Sequence, residues 1–352
     1  MAYGVAPHPI GTTPDHLTSS IREHGALRAN GPGHVTQRMK VSTVSETTHD
    51  GAVAVGAPVA HSASGGLPPA ELAAKYGLAV SGARPRLGEY VTQLWARRHF
   101  ISAFARAKVH AQYTTARLGQ LWQVMTPLLN AAVYYLIFGL LLGTDRGIDN
   151  FIAFLVTGIF IFTFTQSSVL AGTKAISGNL GLVRALHFPR AAMPIAMTLV
   201  QLQQLLMSML VLLAIILMTG EIPALSWLLA VPALLLQSVF NAGLAMTVAR
   251  MGSKMTDLSQ LMPFILRTWM YMSGVMYSIS HVTAGAPYFV KLLLDVNPAA
   301  VYIDLMRFAL IDSFTSAQLP SHVWALAVIW AVVAGVGGFL YFWKAEEQYG
   351  RG

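Results

Sequence analysis

Apolar residues in this chain gather into long uncharged blocks rather than short amphipathic stripes. Residues 118–144, 150–173, 191–220, 222–249, 268–290 and 313–343 contain no Asp, Glu, Lys or Arg. A hydrocarbon layer about 30 Å thick needs roughly 20 apolar residues per crossing helix, and every block reaches that length. One such block could be a buried core helix; six predict an all-α integral membrane protein with six spans. The expected spans lie near 120–142, 151–173, 191–219, 226–249, 258–280 and 321–343, within a domain covering 118–344. A short tail, 345–352, follows.

The pattern changes ahead of the first block. Between Arg84 and Gln120 seven cations (Arg84, Arg86, Arg97, Arg98, Arg106, Lys108 and Arg117) accompany one acid, Glu89. Leu87, Tyr90, Val91, Leu94 and Trp95 recur at helical spacing, and Ile101 and Phe104 extend the stripe. Arg98 falls inside it, which predicts a break or a snorkelling side chain there. A basic helix with one apolar face and an interfacial Trp suits the surface of an anionic membrane. An N-terminal amphipathic interface helix is therefore expected within 69–117; an ordinary juxtamembrane helix is the plainer reading. Residues 1–68, rich in Gly, Pro, Ser, Thr, Ala and His without periodicity, read as a disordered tail. No basic start followed by an apolar core marks a cleaved signal peptide.

Composition agrees: 55% of the 352 residues are hydrophobic and 11% charged, against about 25% charged in soluble domains. The absence of cysteine excludes disulfides and cysteine-ligated metal sites. The net charge of +8 needs no nucleic-acid partner, because its distribution follows topology. With the N-terminus inside, residues 1–117, the 174–190 loop, Arg250, Lys254, Lys344 and Arg351 hold 19 of the 23 Lys and Arg. Arg146, Lys291 and Arg307 fall outside, and Arg267 lies within or beside the fifth span. Lys and Arg concentrate in cytoplasmic loops, so both termini are expected in the cytoplasm and the protein in the plasma membrane.

The loop between the second and third spans, GNLGLVRALHFPR at 178–190, is too short for a domain and too apolar for a solvated linker. Leu180, Val183 and Leu186 fall on one side of a short helix that Pro189 ends, while Arg184, His187 and Arg190 project elsewhere. Such a ridge either folds back on the protein's own surface or inserts into a partner.

Energy has no evident source in the chain. It lacks the Gly-x-x-x-x-Gly-Lys-(Ser/Thr) phosphate loop, and the six blocks hold no acid of the kind a proton-driven transporter uses. A Na⁺-coupled carrier built on backbone carbonyls stays open. Asp145, Asp149, Asp295, Asp304 and Asp312 are all placed extracytoplasmically and read as solvated loop residues rather than a catalytic set. No catalytic or metal site is expected, and the protein is not expected to be an enzyme.

Five segments in order carry a family resemblance. LGQLWQVMTPLLNAAVYYLIFGLLL (118–142), SGNLGLVRALHFPRAAMPIA (177–196), MYMSGVMYSIS (270–280), DVNPAAVYIDLMRFALI (295–311) and FWKAEEQYGRG (342–352) resemble the permease subunits of ABC-2 type exporters. They resemble in particular the Wzm-like permeases of O-antigen and teichoic acid export, which carry polysaccharides on polyprenyl lipids. Gly274 stands where the family commonly has Pro. The resemblance implies the ABC-2, or type V exporter, fold and a homodimer on two Wzt-like ABC ATPase subunits. ATP and Mg would sit on those subunits, so this chain would hold no cofactor. It implies that a coupling helix over 178–190, with Asn179, Leu180, Val183, Arg184, Leu186, His187, Phe188, Pro189 and Arg190, seats in the ATPase. The cargo would be a polyprenyl-pyrophosphate-linked glycan, the alternative within the family being a smaller lipid or drug; the Ala/Val/Gly-rich character suits an actinobacterial member, whose cargo would be a lipid-linked galactan. Membrane lipids would be the remaining partner.

A sliding glycan suits aromatic walls. Candidates are Tyr134, Tyr135 and Phe138, then Phe160, Phe162 and Phe164, then Trp269, Tyr271 and Tyr277; each could equally face lipid or another helix. Arg267 would lie nine residues, about 14 Å, into a fifth span that began near Leu258, and would then face the path or a subunit seam. Two short helices within 284–312, parted at Asn297-Pro298, would dip into the outer leaflet. In the family such helices gate the extracytoplasmic side, here with Tyr288, Asn297, Pro298 and Tyr302.

Overall fold

The computed structural model describes residues 84–114, 119–143, 148–186, 188–255, 257–283 and 285–349, all within a unit spanning 67–352. The expected tail 1–68, Arg117, Asp145, Arg146, His187 and Arg351 lie outside the described residues. Twelve α-helices are described: α1 Leu87–Ala96, α2 Arg98–Thr114, α3 Gly119–Tyr134, α4 Phe151–Thr173, α5 Leu180–Ala185, α6 Ala192–Met218, α7 Ala230–Lys254, α8 Leu258–Tyr271, α9 Ile279–Val282, α10 Tyr288–Asp295, α11 Pro298–Leu310 and α12 Val323–Trp343. No strand occurs among the described residues.

Five helical segments are long and apolar enough to cross a membrane: Val124–Leu141, Phe151–Thr173, Ala192–Met218, Leu225–Lys254 and Val323–Trp343. The first joins α3 to a π-helical stretch, Tyr135–Leu141, and the fourth joins a 3₁₀ turn, Leu225–Leu229, to α7. α4 is the axis of the bundle. It packs against α6, α7 and α11, and most of its side chains, Phe151 to Thr173, are buried. α7 and α12 form the closest pair. A Cβ on Gly243 would land on the Ala334 carbonyl, and one on Gly338 on the carbonyl of Gly243. Small residues at such crossings let backbones approach where no hydrophobic force between helices exists.

The expected fifth span, 258–280, differs from what forms. α8 stops at Tyr271 after 14 residues, too short to cross alone at 1.5 Å per residue. Gly274 takes φ +62°, a left-handed conformation that suits glycine, and the chain runs irregularly to Ser278 before the single turn of α9. Where the family's Pro would only kink a helix, this chain leaves it.

The segment expected as two gate helices is also unlike in its halves. α10 is exposed, with Tyr288, Phe289 and Leu293 all in the open. α11 is buried on nearly every side, from Ala299 through Arg307, and packs on α4, α7 and α12. Its amphipathic appearance came from Asp304 and Arg307, which are themselves inside. At the opposite, terminal end of the bundle, the N-terminal stripe divides. The helix breaks at Arg97, one residue from the expected point. Tyr90 and Ile101 are buried, whereas Leu87, Val91 and Trp95 are exposed.

The α7–α12 contact supplies a test. Gly243→Leu should lower the thermal stability of the purified chain by about 1–3 kcal/mol or abolish its folding, as overpacking does. Gly337→Ala, where an added Cβ meets nothing within 4 Å, should leave it unchanged.

Candidate functional site

Three groups of functional candidates are distinguishable by position. The first is at the terminal end, where 178–190 meets the two chain ends. α5 is a six-residue helix that stops at Ala185, four residues before Pro189, because Leu186 is already extended. The expected ridge is not one surface. Val183 is buried and Leu180 and Leu182 pack against the same cluster as Tyr90, Phe342 and Tyr349. Phe188 packs on Phe100 of α2, ring centroids 5.3 Å apart. Leu186 remains 47% exposed, and Arg184 and Gly181 are exposed beside it. The segment thus folds back on its own protein with one side and leaves Arg184 and Leu186 on the other.

A buried carboxylate holds this end together. Glu346 accepts from the Tyr90 hydroxyl at 2.7 Å and from the Arg190 amide at 2.9 Å. The Arg190 guanidinium donates to the Glu346 carbonyl, and the Tyr90 oxygen accepts from Ala191 N at 3.1 Å. Burial raises the Glu346 carboxyl above its ordinary range, opposed by these donors. The Tyr90 phenol rises well above its own, through burial and then the adjacent Glu346. Glu347 accepts from Arg84 N at 2.9 Å, and Arg84 lies over the Trp343 ring. α1, α5 with Arg190 and Ala191, and the C-terminal residues are one packed body. From the sequence Tyr90 appeared only as part of the apolar stripe, and Glu346 and Glu347 only within the C-terminal FWKAEEQYGRG segment, none of them as a site residue.

The second group is at the far end. Arg307, expected as an exterior loop charge, is 1% exposed. It pairs with Asp304 at 3.1 Å and donates to the carbonyls of Phe154 at 3.2 Å, Gly274 at 3.0 Å and Val275 at 2.9 Å. Its guanidinium also lies 3.3 Å from the Phe154 ring centroid. One side chain therefore ties α11 to α4 and to the irregular stretch after α8. Asn297 works alongside. Its oxygen caps α11 through Ala299 N and accepts from the Trp269 indole, while its amide donates to Met272 O and Ser273. Pro298 takes the first helical position, as its fixed φ favours. Tyr302 is buried with its hydroxyl on Ala327 O at 2.9 Å. Tyr288 is 79% exposed. The i, i+3 spacing of Asp304 and Arg307 was the available signal for the pair.

The third group is the set of expected path residues, which the fold separates. α8 begins at Leu258, so Arg267 does sit nine residues along it. Arg267 and Tyr271 are exposed, and Tyr134 lies within interacting range of both. Tyr277 joins them by donating to Tyr271 O at 3.0 Å. Phe138 packs edge-on to Tyr134. Tyr134, Phe138 and Tyr277 are half-buried, and Val133 of α3 and Leu261 and Phe264 of α8 are exposed. Trp269 instead turns inward between Phe162 and Asn297. Tyr135 packs on Phe151. Phe160 and Phe164 are both 2% exposed and line a separate cavity between α3, α4 and α6. Among the described residues no cluster of three or more His, Asp or Glu is placed to hold a metal.

Comparison with known proteins adds the following. Residues 100–311, more than half of the chain, match the family described as ABC-2 type transporter. An O-antigen export system permease protein RfbA of Klebsiella pneumoniae is 24% identical over 239 residues, 68% of this chain and 88% of that protein. One of the same name from Myxococcus xanthus is 25% identical over 259 residues, 73% and 96% of the two chains. The polysialic acid transport protein KpsM of Escherichia coli is 22% identical over 249 residues, 70% and 94%.

The far-end bracket is testable by substitution. Arg307→Leu should cost about 3–5 kcal/mol, since it leaves Asp304 buried and unpaired and three carbonyls without their donor. Arg307→Lys should recover only a fraction, because one ammonium cannot reproduce the planar fork. Thermal unfolding of the purified variants measures both.

Proposed function

The chain belongs to the ABC-2 type transporter family, and from that premise we propose that it is the permease subunit of a polysaccharide exporter. In this reading two copies face each other across the Tyr134–Arg267–Tyr271 side and bind two copies of a separate ABC ATPase. Together they move a polyprenyl-pyrophosphate-linked glycan, a galactan in the finer form of the proposal, from the cytoplasmic to the outer face of the plasma membrane. The subunit itself is a six-crossing conduit, with α8 and the irregular stretch after it as the remaining crossing. It hydrolyses nothing and holds no cofactor. ATP and Mg belong to the partner.

The observation that carries the proposal is the exposure of Arg267 and Tyr271 beside Tyr134. A cation about 14 Å along a helix costs about 2.5–3.5 kcal/mol against lipid on insertion scales. It is accommodated when it lines a wet seam or meets a partner. Here the cation stands among tyrosines whose phenols need water or a donor–acceptor partner, and whose faces suit the C–H edges of sugars. A second copy opposite would complete a polar, aromatic passage. The names of the relatives, which speak of O-antigen export and polysialic acid transport, support a glycan cargo.

Orientation follows the distribution of Lys and Arg, which favours both termini, and with them the Glu346 knot, on the cytoplasmic side. The α5 face bearing Arg184 and Leu186 is then the natural seat for the ATPase. The knot gives that seat a rigid backing. The exposed Leu87, Val91 and Trp95 of α1, flanked by Arg84, Arg86, Arg97 and Arg98, suit the inner leaflet surface.

Two measurements test the proposal. Leu186→Asp should abolish co-purification with the ATPase subunit while leaving a monodisperse permease, whereas Phe188→Asp would also damage the packing on Phe100. Arg267→Leu should leave the complex intact and reduce ATP-dependent glycan export in reconstituted vesicles at least roughly tenfold, about 1.4 kcal/mol in the barrier. Undiminished export by that variant, or uphill transport by the permease without the ATPase, would refute the reading.

A further inference from the structure

The cavity lined by Phe160 and Phe164 lies apart from the Arg267 face. It measures about 220 Å³ and is walled by α3, α4 and α6. Counted from the terminal-end limits of their helices, Ser167 lies six residues up α4, Gln201 nine up α6 and Ser208 sixteen up α6. At 1.5 Å per residue the cavity spans about 9–24 Å along those helices, well within the apolar length. Its volume corresponds to roughly seven waters at about 30 Å³ each, the scale of one sugar ring rather than a chain.

The lining is unusual for that depth. Thr126 and Thr163 donate to carbonyls one turn back on their own helices, at 2.8 and 2.6 Å. Such self-pairing satisfies the proton and leaves lone pairs available. Gln204 donates to Gln112 of α2 at 2.6 Å, so α2 borders the mouth. The side chains of Ser167, Gln201 and Ser208 make no hydrogen bond among the described residues, and Ser208 is only 6% exposed. A serine can turn to its own helix, but a glutamine amide in hydrocarbon requires an external partner. Phe160 and Phe164 supply flat apolar walls, and Trp122, 56% exposed, stands at the rim.

We propose that this cavity binds the hydroxylated headgroup of an amphiphile, one sugar ring in size, while its tail stays in the bilayer. Hydroxyls would meet Gln201, Ser208 and Ser167, and the C–H faces of the ring would lie against the two phenylalanines. No charged side chain lines the cavity, so the ligand part held there is neutral, and a phosphate would remain outside. The chemistry fits two sources, the first sugar of a lipid-linked cargo or a resident glycolipid of the membrane. Only the cargo source rests on the export reading.

The test uses the full chain in nanodiscs, with retained lipid read by native mass spectrometry. Three probes are offered separately: a polyprenyl-phosphate hexose, a monohexosyl diacylglycerol and phosphatidylcholine. Retention of at least one hexosyl lipid about tenfold over phosphatidylcholine is expected, with a loss of about fivefold in Gln201→Leu, one lost hydrogen bond to a neutral group being about 1 kcal/mol. Ser208→Ala, a change small enough to preserve packing, should give a lesser loss in the same direction. Retention of the polyprenyl probe alone identifies the cargo as source; retention of both identifies a glycolipid site. Equal retention of phosphatidylcholine, no retained lipid, or hexosyl-lipid binding unchanged in both variants overturns the proposal. Glycan export is scored separately, so loss of retention with intact export leaves the cavity assigned and removes it from the cargo route.

Discussion

Backbone that leaves a helix in the protein interior must find its hydrogen bonds there, and this chain leaves a helix at Tyr271 to run through buried residues 273–276. The unsatisfied carbonyls that follow would each cost several kcal/mol in hydrocarbon. Arg307 and Asn297 meet that demand. The guanidinium takes the carbonyls of Gly274 and Val275, and the Asn297 amide takes that of Met272. Arg307 in turn is tolerable because Asp304 and the Phe154 carbonyl and ring surround it. The burial of α11 follows, since it carries all three side chains and must sit where the broken strand of chain passes. An arrangement of this kind fixes the far end tightly, yet it depends on few groups. A shift of α11 against α4 would release several donors and acceptors together.

At the terminal end the chemistry is similar and the purpose differs. Glu346, Tyr90 and Arg190 come from the C-terminal turn, α1 and the segment before α6. Each satisfies the others, so no two of these elements can separate without stranding a buried polar group. A push delivered to Arg184 or Leu186 therefore reaches α1 and the end of α12 as well as α6. In the export reading the ATPase would act on a rigid plate, not on a flexible loop.

How much of this could be read from the sequence depended on whether the signal was local. Five of the six uncharged blocks correspond to helices long and apolar enough to cross a membrane, and the stripe Leu87–Trp95 corresponds to a helix with a break beside Arg98. Failures arose where distant residues decide. The block 268–290 lacks charge and so looked like part of a span; its break is imposed by Gly274 and stabilised by Arg307 and Asn297, which the block does not contain. Arg307 looked solvated because an isolated Lys or Arg near a span usually is, and only its carbonyl partners, far away in sequence, put it inside. The aromatic candidates were equivalent by composition. Helical phase and neighbouring helices sorted them, leaving Tyr134 and Tyr271 with Arg267, turning Trp269 inward and sending Phe160 and Phe164 to the cavity.

That sorting bears on how a conduit and a pocket can coexist in one subunit. Tyr134 and Trp122 stand on the same helix twelve residues apart, about 18 Å along its axis. The Arg267 face is open on its side and carries a permanent charge, so it suits a hydrated, moving ligand and gains from a second body opposite. The Ser208 cavity is small, uncharged and walled by three helices of one chain with a mouth beside α2, so it suits a single ring. Charge and enclosure have opposite effects on dwell time, because a wet, exposed surface exchanges partners with water while a dry pocket must strand its polar groups to let go. The two places therefore differ in charge and in enclosure, and a ligand that met both would be held longer in the cavity than at the Arg267 face.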